Sequence, residues 1–131
     1  MAINELAAMY AKKGIVPEET VYVPVICSNT NKTFYYKFCL YSFLKPKWQM
    51  MEVCLEAPTT ASQATVNMNG YTYAEELKCP FCGTVGFGRH VECDTVFCRE
   101  FGSSNNLYCP KCERTLVPGG PTGKLDGKSS N

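Results

Sequence analysis

Cys79-Pro80-Phe81-Cys82 and Cys109-Pro110-Lys111-Cys112 are two C-P-x-C turns separated by 26 residues. A turn of this kind aims two thiolates at one point, and two of them supply four soft ligands. That set selects zinc, or iron in a redox protein. Backbone N–H groups in such a turn point back at the sulfurs and offset the double negative charge of a four-thiolate zinc centre. Gly83 follows the first pair and suits the positive φ such a turn requires, whereas Glu113 stands at the equivalent place after the second. Lys78, Lys111 and Arg114 soften the anionic cluster. Cys79, Cys82, Cys109 and Cys112 are therefore the expected ligands of one structural Zn2+ ion.

His90, Cys93 and Cys98 lie between the two turns. With the four turn cysteines they make seven candidate ligands, one short of a cross-braced pair of ions. The eighth would have to come from Cys27, Cys39 or Cys54, far away in sequence. One ion is the simpler expectation. It leaves Cys93 and Cys98 as small buried hydrophobes on a hairpin with strands near 87–91 and 95–97, and His90 as filler.

Other chemistries fit less well. A redox-active C-x-x-C must open a helix that lowers its thiol pKa, and Gly83-Thr84-Val85-Gly86-Phe87-Gly88 is strand and turn material. Two C-P-x-C turns beside aromatics resemble rubredoxin, which makes a rubredoxin-like iron electron carrier the second choice of metal chemistry. Rubredoxins are much shorter and strongly acidic, whereas this chain has a formal net charge of +1. A catalytic zinc keeps an open position, which four thiolates close. With one histidine and no nucleophile elbow, phosphate loop or dinucleotide fingerprint, no enzyme is expected.

The elements that must position these residues fit into 131 residues, enough for one ordinary domain or two small ones. Residues 3–13 have helical spacing, with Ile3, Leu6, Met9 and Tyr10 on one face and Gly14 as a stop. So short a helix needs a surface to pack on, and it reads as a cap on the following sheet. Val21, Val23 and Val25 alternate along a first strand, in which Pro24 signals an edge or bulge. Phe34, Tyr36, Phe38 and Leu40 share one face of a second, aromatic strand that could pair with a second copy if it lay at an edge. Met51, Val53 and Leu55 share the more apolar face of a third. Residues 58–76 read as a linker, with one helical turn at 74–77, and residues 119–131 as a disordered tail.

The expected fold is thus small and mainly β. Residues 1–57 form a short N-terminal helix and an antiparallel β-meander, and residues 77–118 form a zinc ribbon. Nine cysteines, an odd number, in C-x-x-C spacing and without an apolar leader point to reduced thiols and a cytoplasmic protein. No run is long and apolar enough to span a membrane. Charge is nearly balanced in both modules: six Lys against five acids in 1–57, five Lys/Arg against four in 77–118. A nucleic-acid-binding zinc ribbon is therefore the lesser alternative, because it would require a concentrated basic face.

The run from Cys79 to Cys112, CPFCGTVGFGRHVECDTVFCREFGSSNNLYCPKC, resembles the zinc ribbon known as the TerY-C metal-binding domain. The shared elements are the first turn with Gly83, the aromatic step Gly86-Phe87, Cys93 with Phe97-Cys98, and the closing Cys109–Cys112 turn. Glu113 departs from the usual Gly, and Asp94-Thr95 stands where Cys-Gly is expected. The resemblance implies a bacterial accessory module of tellurium-resistance and stress-response systems. Its ribbon would serve protein–protein contact with a kinase, a phosphatase or a von Willebrand A-type protein.

Overall fold

Strict alternation of β-branched and aromatic residues builds the sheet that carries everything else. A computed structural model describes residues 5–44, 47–58, 62–67, 78–90, 92–99, 107–116 and 124–129. The helix α1 (Glu5–Lys12) precedes β1 (Glu19–Ile26), β2 (Thr33–Leu40) and β3 (Trp48–Cys54), which form the expected antiparallel meander. Val21, Val23 and Val25 pair with Phe38, Tyr36 and Phe34, and all six side chains are fully or almost fully buried on one face. The aromatic strand β2 lies between β1 and β3, so it is not a free edge for a second copy. Its rings pack on one another edge to face, as in Phe34–Tyr36 and Tyr36–Phe38.

The third strand departs from simple alternation. Lys37 pairs with Glu52 but Phe38 with Met50, which leaves Met51 as the extra residue of a bulge. Met51 therefore joins Tyr10, Cys39 and Tyr41 beneath α1, while Met50 and Val53 enter the main core. Leu55, expected beside Met51 and Val53, is exposed. The helix does pack on the sheet, through Tyr10. Gly14 at φ 74° ends it, where the Ile15 N–H donates to the Tyr10 carbonyl at 2.9 Å.

Two further strands lie where sequence patterning suggested none. β4 (Ser62–Asn67) falls inside the stretch read as a linker, and the last strand, β9 (Lys124–Ser129), inside the stretch read as a disordered tail. They pair antiparallel along their full length, and β9 also pairs with β1 at Val21 and Tyr22. Neither strand is mainly apolar, so hydrophobic alternation could not announce them; β4 sends Val66 into the main core with Ala64 against it, and backbone pairing with β4 and β1 holds β9. Gly127 permits the approach, since a Cβ there would lie 2.5 Å from the Tyr22 carbonyl oxygen. The helical turn expected at 74–77 lies outside the described residues.

The second edge of β1 is shared. β9 takes its start, and β6 (Thr95–Cys98) joins in parallel at Ile26↔Phe97. Pro24 sits between these two partners. β6 forms a hairpin with β5 (Phe87–His90), and β7 (Leu107–Cys109) pairs with β8 (Arg114–Leu116) in a separate two-stranded sheet. The main core draws on both halves of the chain: Cys79, Phe87, Val96 and Cys98 pack with the residues of β1–β3. The Phe81 ring stands edge-on to Phe34 at 6.1 Å, and the Lys32 ammonium lies over the same ring.

Candidate metal centres

The hairpin β5–β6 sets the geometry of the thiols. Its open end carries Cys98, paired with Phe87, and its turn carries Cys93. These ends are separated by roughly 10–13 Å at about 3.3 Å per residue, too far for one ion to bridge. The first C-P-x-C turn enters β5 at the open end. The four cysteines expected around a single ion are accordingly divided: Cys79 and Cys82 stand with Cys27 and Cys98, whereas Cys109 and Cys112 stand with His90 and Cys93.

Each group offers four donor atoms within 4.8 Å of one another. The sulfurs of Cys82 and Cys98 are 3.6 Å apart, as are those of Cys93 and Cys109. A tetrahedron with zinc–sulfur bonds of about 2.3 Å has edges of about 3.8 Å, whereas a disulfide would need about 2.05 Å. All nine cysteines are free thiols. Seven of them and the single histidine thus form two tetrads, one of four cysteines and one of a histidine with three cysteines, consistent with a zinc-binding domain. Cys93, Cys98 and His90, read as core filler, stand in the tetrads, and the missing eighth donor is Cys27. Cys39 and Cys54 stand in neither tetrad.

One local fold recurs at the ligands. Gly83 N–H donates to the Cys79 carbonyl at 2.9 Å, Glu113 N–H to that of Cys109 at 2.8 Å, and Asn31 N–H to that of Cys27 at 2.8 Å. The closing residue is left-handed in each, at φ 76°, 55° and 60°, and Asp94 after Cys93 is likewise at 55°. Cys27 therefore opens a turn of the same form with Thr30 where a second cysteine would stand. Two signals for this were present in sequence: the H-x-x-C spacing of His90 and Cys93, and the Ser-Asn-Thr-Asn run after Cys27.

The inner tetrad is embedded in the main core. Cys27, Cys79 and Cys98 are buried, and Cys82 packs against the same cluster. Its sulfurs receive many partners. Ser28 N–H donates to Cys98 Sγ at 3.3 Å, its hydroxyl lies at the same distance, and the Thr84 hydroxyl is 3.2 Å from Cys82 Sγ. Burial is the largest influence on Cys79 and pushes its thiol up to about 12 despite N–H donors from Phe81 and Cys82. At Cys82 burial also opposes ionisation, but hydrogen bonding with Thr84, Cys79 and Cys98 outweighs it and brings the thiol to about 6. Without metal, the cluster thus shares protons unequally; a cation displaces those that remain.

The outer tetrad is more open. Cys109 and His90 are buried, but Cys93 and Cys112 are half-exposed. His90 Nδ1 lies 3.1 Å from Cys93 Sγ, and its Nε2 faces the Glu92 carboxylate at 3.7 Å. A carboxylate behind an imidazole fixes the ring for metal binding through its other nitrogen. The Thr95 hydroxyl is 3.1 Å from Cys93 Sγ, and Cys112 N–H donates to Cys109 Sγ at 3.5 Å. Cys93 is drawn down to about 6: burial opposes this, and Thr95, Cys112 and Cys109 overcome it. Cys112 is raised to about 11, first by its hydrogen bond with Cys93 and then by burial. Compared with protein-family models, curated proteins and solved structures, the chain matches none.

Proposed function

We propose that this chain is a non-catalytic protein that holds two Zn2+ ions and presents a metal-stiffened surface to a protein partner. The observation that carries the reading is the gathering of eight donors into two closed groups of four, with sulfur–sulfur spacings suited to tetrahedral zinc. Four protein ligands per ion leave no position for a water or substrate, which argues against chemistry at the metal. Free thiols in this number belong in a reducing compartment, which supports a cytoplasmic location. The resemblance of residues 79–112 to TerY-C ribbons supports contact with a kinase, phosphatase or von Willebrand A-type protein in a bacterial stress response. Balanced charge argues for a protein partner over nucleic acid.

Elemental analysis and native mass spectrometry of protein purified without added metal test the metal reading. The expected result is two zinc ions per chain and a colourless protein. A coloured iron protein, or a folded chain with no metal, overturns it. Affinity capture from the native host tests the partner class, with signalling proteins of the named kinds expected among the captured chains.

A further inference from the structure

The two tetrads hold different parts of the molecule together. The inner one draws Cys27 from the end of β1, Cys79 and Cys82 from the turn before β5, and Cys98 from the end of β6. Those elements are also joined by the main core and by the β1–β6 pairing. An ion there lies within a junction that packing and strand pairing also make. The outer tetrad joins the turn of the β5–β6 hairpin to the β7–β8 hairpin. Among the described residues β7 and β8 pair only with each other, and Cys109 lies outside the main core cluster. The ion there connects two pieces that no described strand ladder unites.

Accessibility and support follow the same division. Two of the four outer ligands are half-exposed, against one of the inner four. The inner sulfurs are backed by Ser28 through both backbone and hydroxyl and by the Thr84 hydroxyl, the outer ones by the Thr95 hydroxyl and the Cys112 N–H. Outer-shell partners of this kind commonly change metal affinity by about 10- to 100-fold. Release also requires the surrounding structure to open, and an isolated two-stranded sheet opens at lower cost than a seven-stranded one.

We infer that the histidine-bearing tetrad His90–Cys93–Cys109–Cys112 is an exchangeable Zn2+ site whose occupancy docks the β7–β8 hairpin, while the four-cysteine tetrad holds a permanent ion. This rests on the zinc reading above and adds a response to available zinc. When zinc is scarce the outer ion leaves, β7–β8 separates from the β5–β6 turn, and the sheet with its inner ion persists.

The test uses the full chain as purified, with the chromogenic chelator 4-(2-pyridylazo)resorcinol in excess. Release is followed by absorbance and the fold by amide NMR spectra. The expected result is two phases of one ion each, differing in rate by about tenfold or more. The fast phase should abolish the signals of 107–116 and spare those of 19–54. In Co2+-loaded protein the fast phase should remove the absorption bands of a site with one nitrogen ligand. The variant His90→Ala should retain one ion and an intact β1–β3 sheet. Two ions lost together in one phase, or β1–β2 signals lost with the first ion, overturn this inference and leave the zinc reading standing. A His90→Ala chain that loses both ions does the same. Protein purified with no zinc overturns both.

Discussion

The inner and outer tetrads are built from the same local turn, yet they stand in opposite structural settings. At the inner one the ion sits among residues already buried by the sheet, with Cys27, Cys79 and Cys98 in the main core. At the outer one the ligands themselves supply the junction between two hairpins. A metal turn is thus a local unit whose importance is set by what it connects. The same kind of ligand set can consolidate a core or stand in for one.

Removal of one ligand from each tetrad should expose the largest difference. Zinc binding at a structural site is worth on the order of 10 kcal/mol, comparable to the whole net stability of about 5–15 kcal/mol of a small protein. Cys98→Ser places a damaged site inside the core and should leave the chain largely unfolded, without the near-ultraviolet circular dichroism of buried Trp48. Cys109→Ser should lose one ion and keep that signal. Equal damage from both substitutions would abolish the distinction between the sites.

Acidification should act on both sites in the same direction. Metal displaces the protons held by the thiols, so affinity rises with pH. At pH 7 Cys79 and Cys112 hold their protons, at about 12 and about 11, while Cys82 and Cys93, at about 6, are mostly ionised. Below about pH 6 each site must also expel the proton of Cys82 or Cys93. At the four-cysteine site the slope of log affinity against pH should therefore steepen by about one as pH falls through 6, measured by competition with a calibrated chelator. An unchanged slope there would show that Cys82 does not gain its proton near pH 6 in the metal-free protein.

The meander and the C-x-x-C pairs were legible in sequence because each rests on a short-range pattern: alternating Val21, Val23 and Val25, aromatic β2, and paired cysteines. The partition of the cysteines was not, because it depends on the length of the β5–β6 hairpin and on which end each turn approaches. Cys27 was harder still. Its partners lie more than fifty residues away, and Thr30 replaces the second cysteine that would have marked the turn. β4 and β9 escaped because Val66 and Ala64 are β4's only apolar residues and β9 relies on backbone pairing, and Gly127 reads as a tail residue until β1 is placed against it. The register of Met51 escaped for a related reason, since a bulge reverses the face of every residue beyond it.

Backbone strain separates the two C-P-x-C turns on a smaller scale. The first C-P-x-C turn ends in Gly83 at φ 76°, where glycine adopts the left-handed conformation freely, whereas the second ends in Glu113 at 55°. A residue with a Cβ carries a cost of about 1–2 kcal/mol there. Glu113→Gly should therefore raise stability and slow release of the outer ion, by about 1 kcal/mol after the added flexibility of the unfolded chain is subtracted. Gly83→Ala should lower stability by a similar amount, although open space surrounds its Cβ. Chemical denaturation of the zinc-loaded variants measures both. A destabilised Glu113→Gly would show that the glutamate side chain contributes more than its backbone costs.

Asp94 offers the finest test, because strain and an ion pair coincide there. Its φ is 55°, and its carboxylate accepts from Arg89 Nε at 2.8 Å and Nη2 at 2.6 Å, at the turn that carries Cys93. Asp94 is exposed, so the pair should contribute less than about 1 kcal/mol. Asp94→Gly then removes strain and ion pair together and should be close to neutral, unlike Glu113→Gly. Arg89→Ala should cost a few tenths of a kcal/mol in the native background and less when Asp94 is glycine, the difference being the coupling of the pair. If Arg89→Ala costs the same in both backgrounds, the guanidinium acts through packing of its buried stem, and the strain at Asp94 alone must account for the behaviour of the turn.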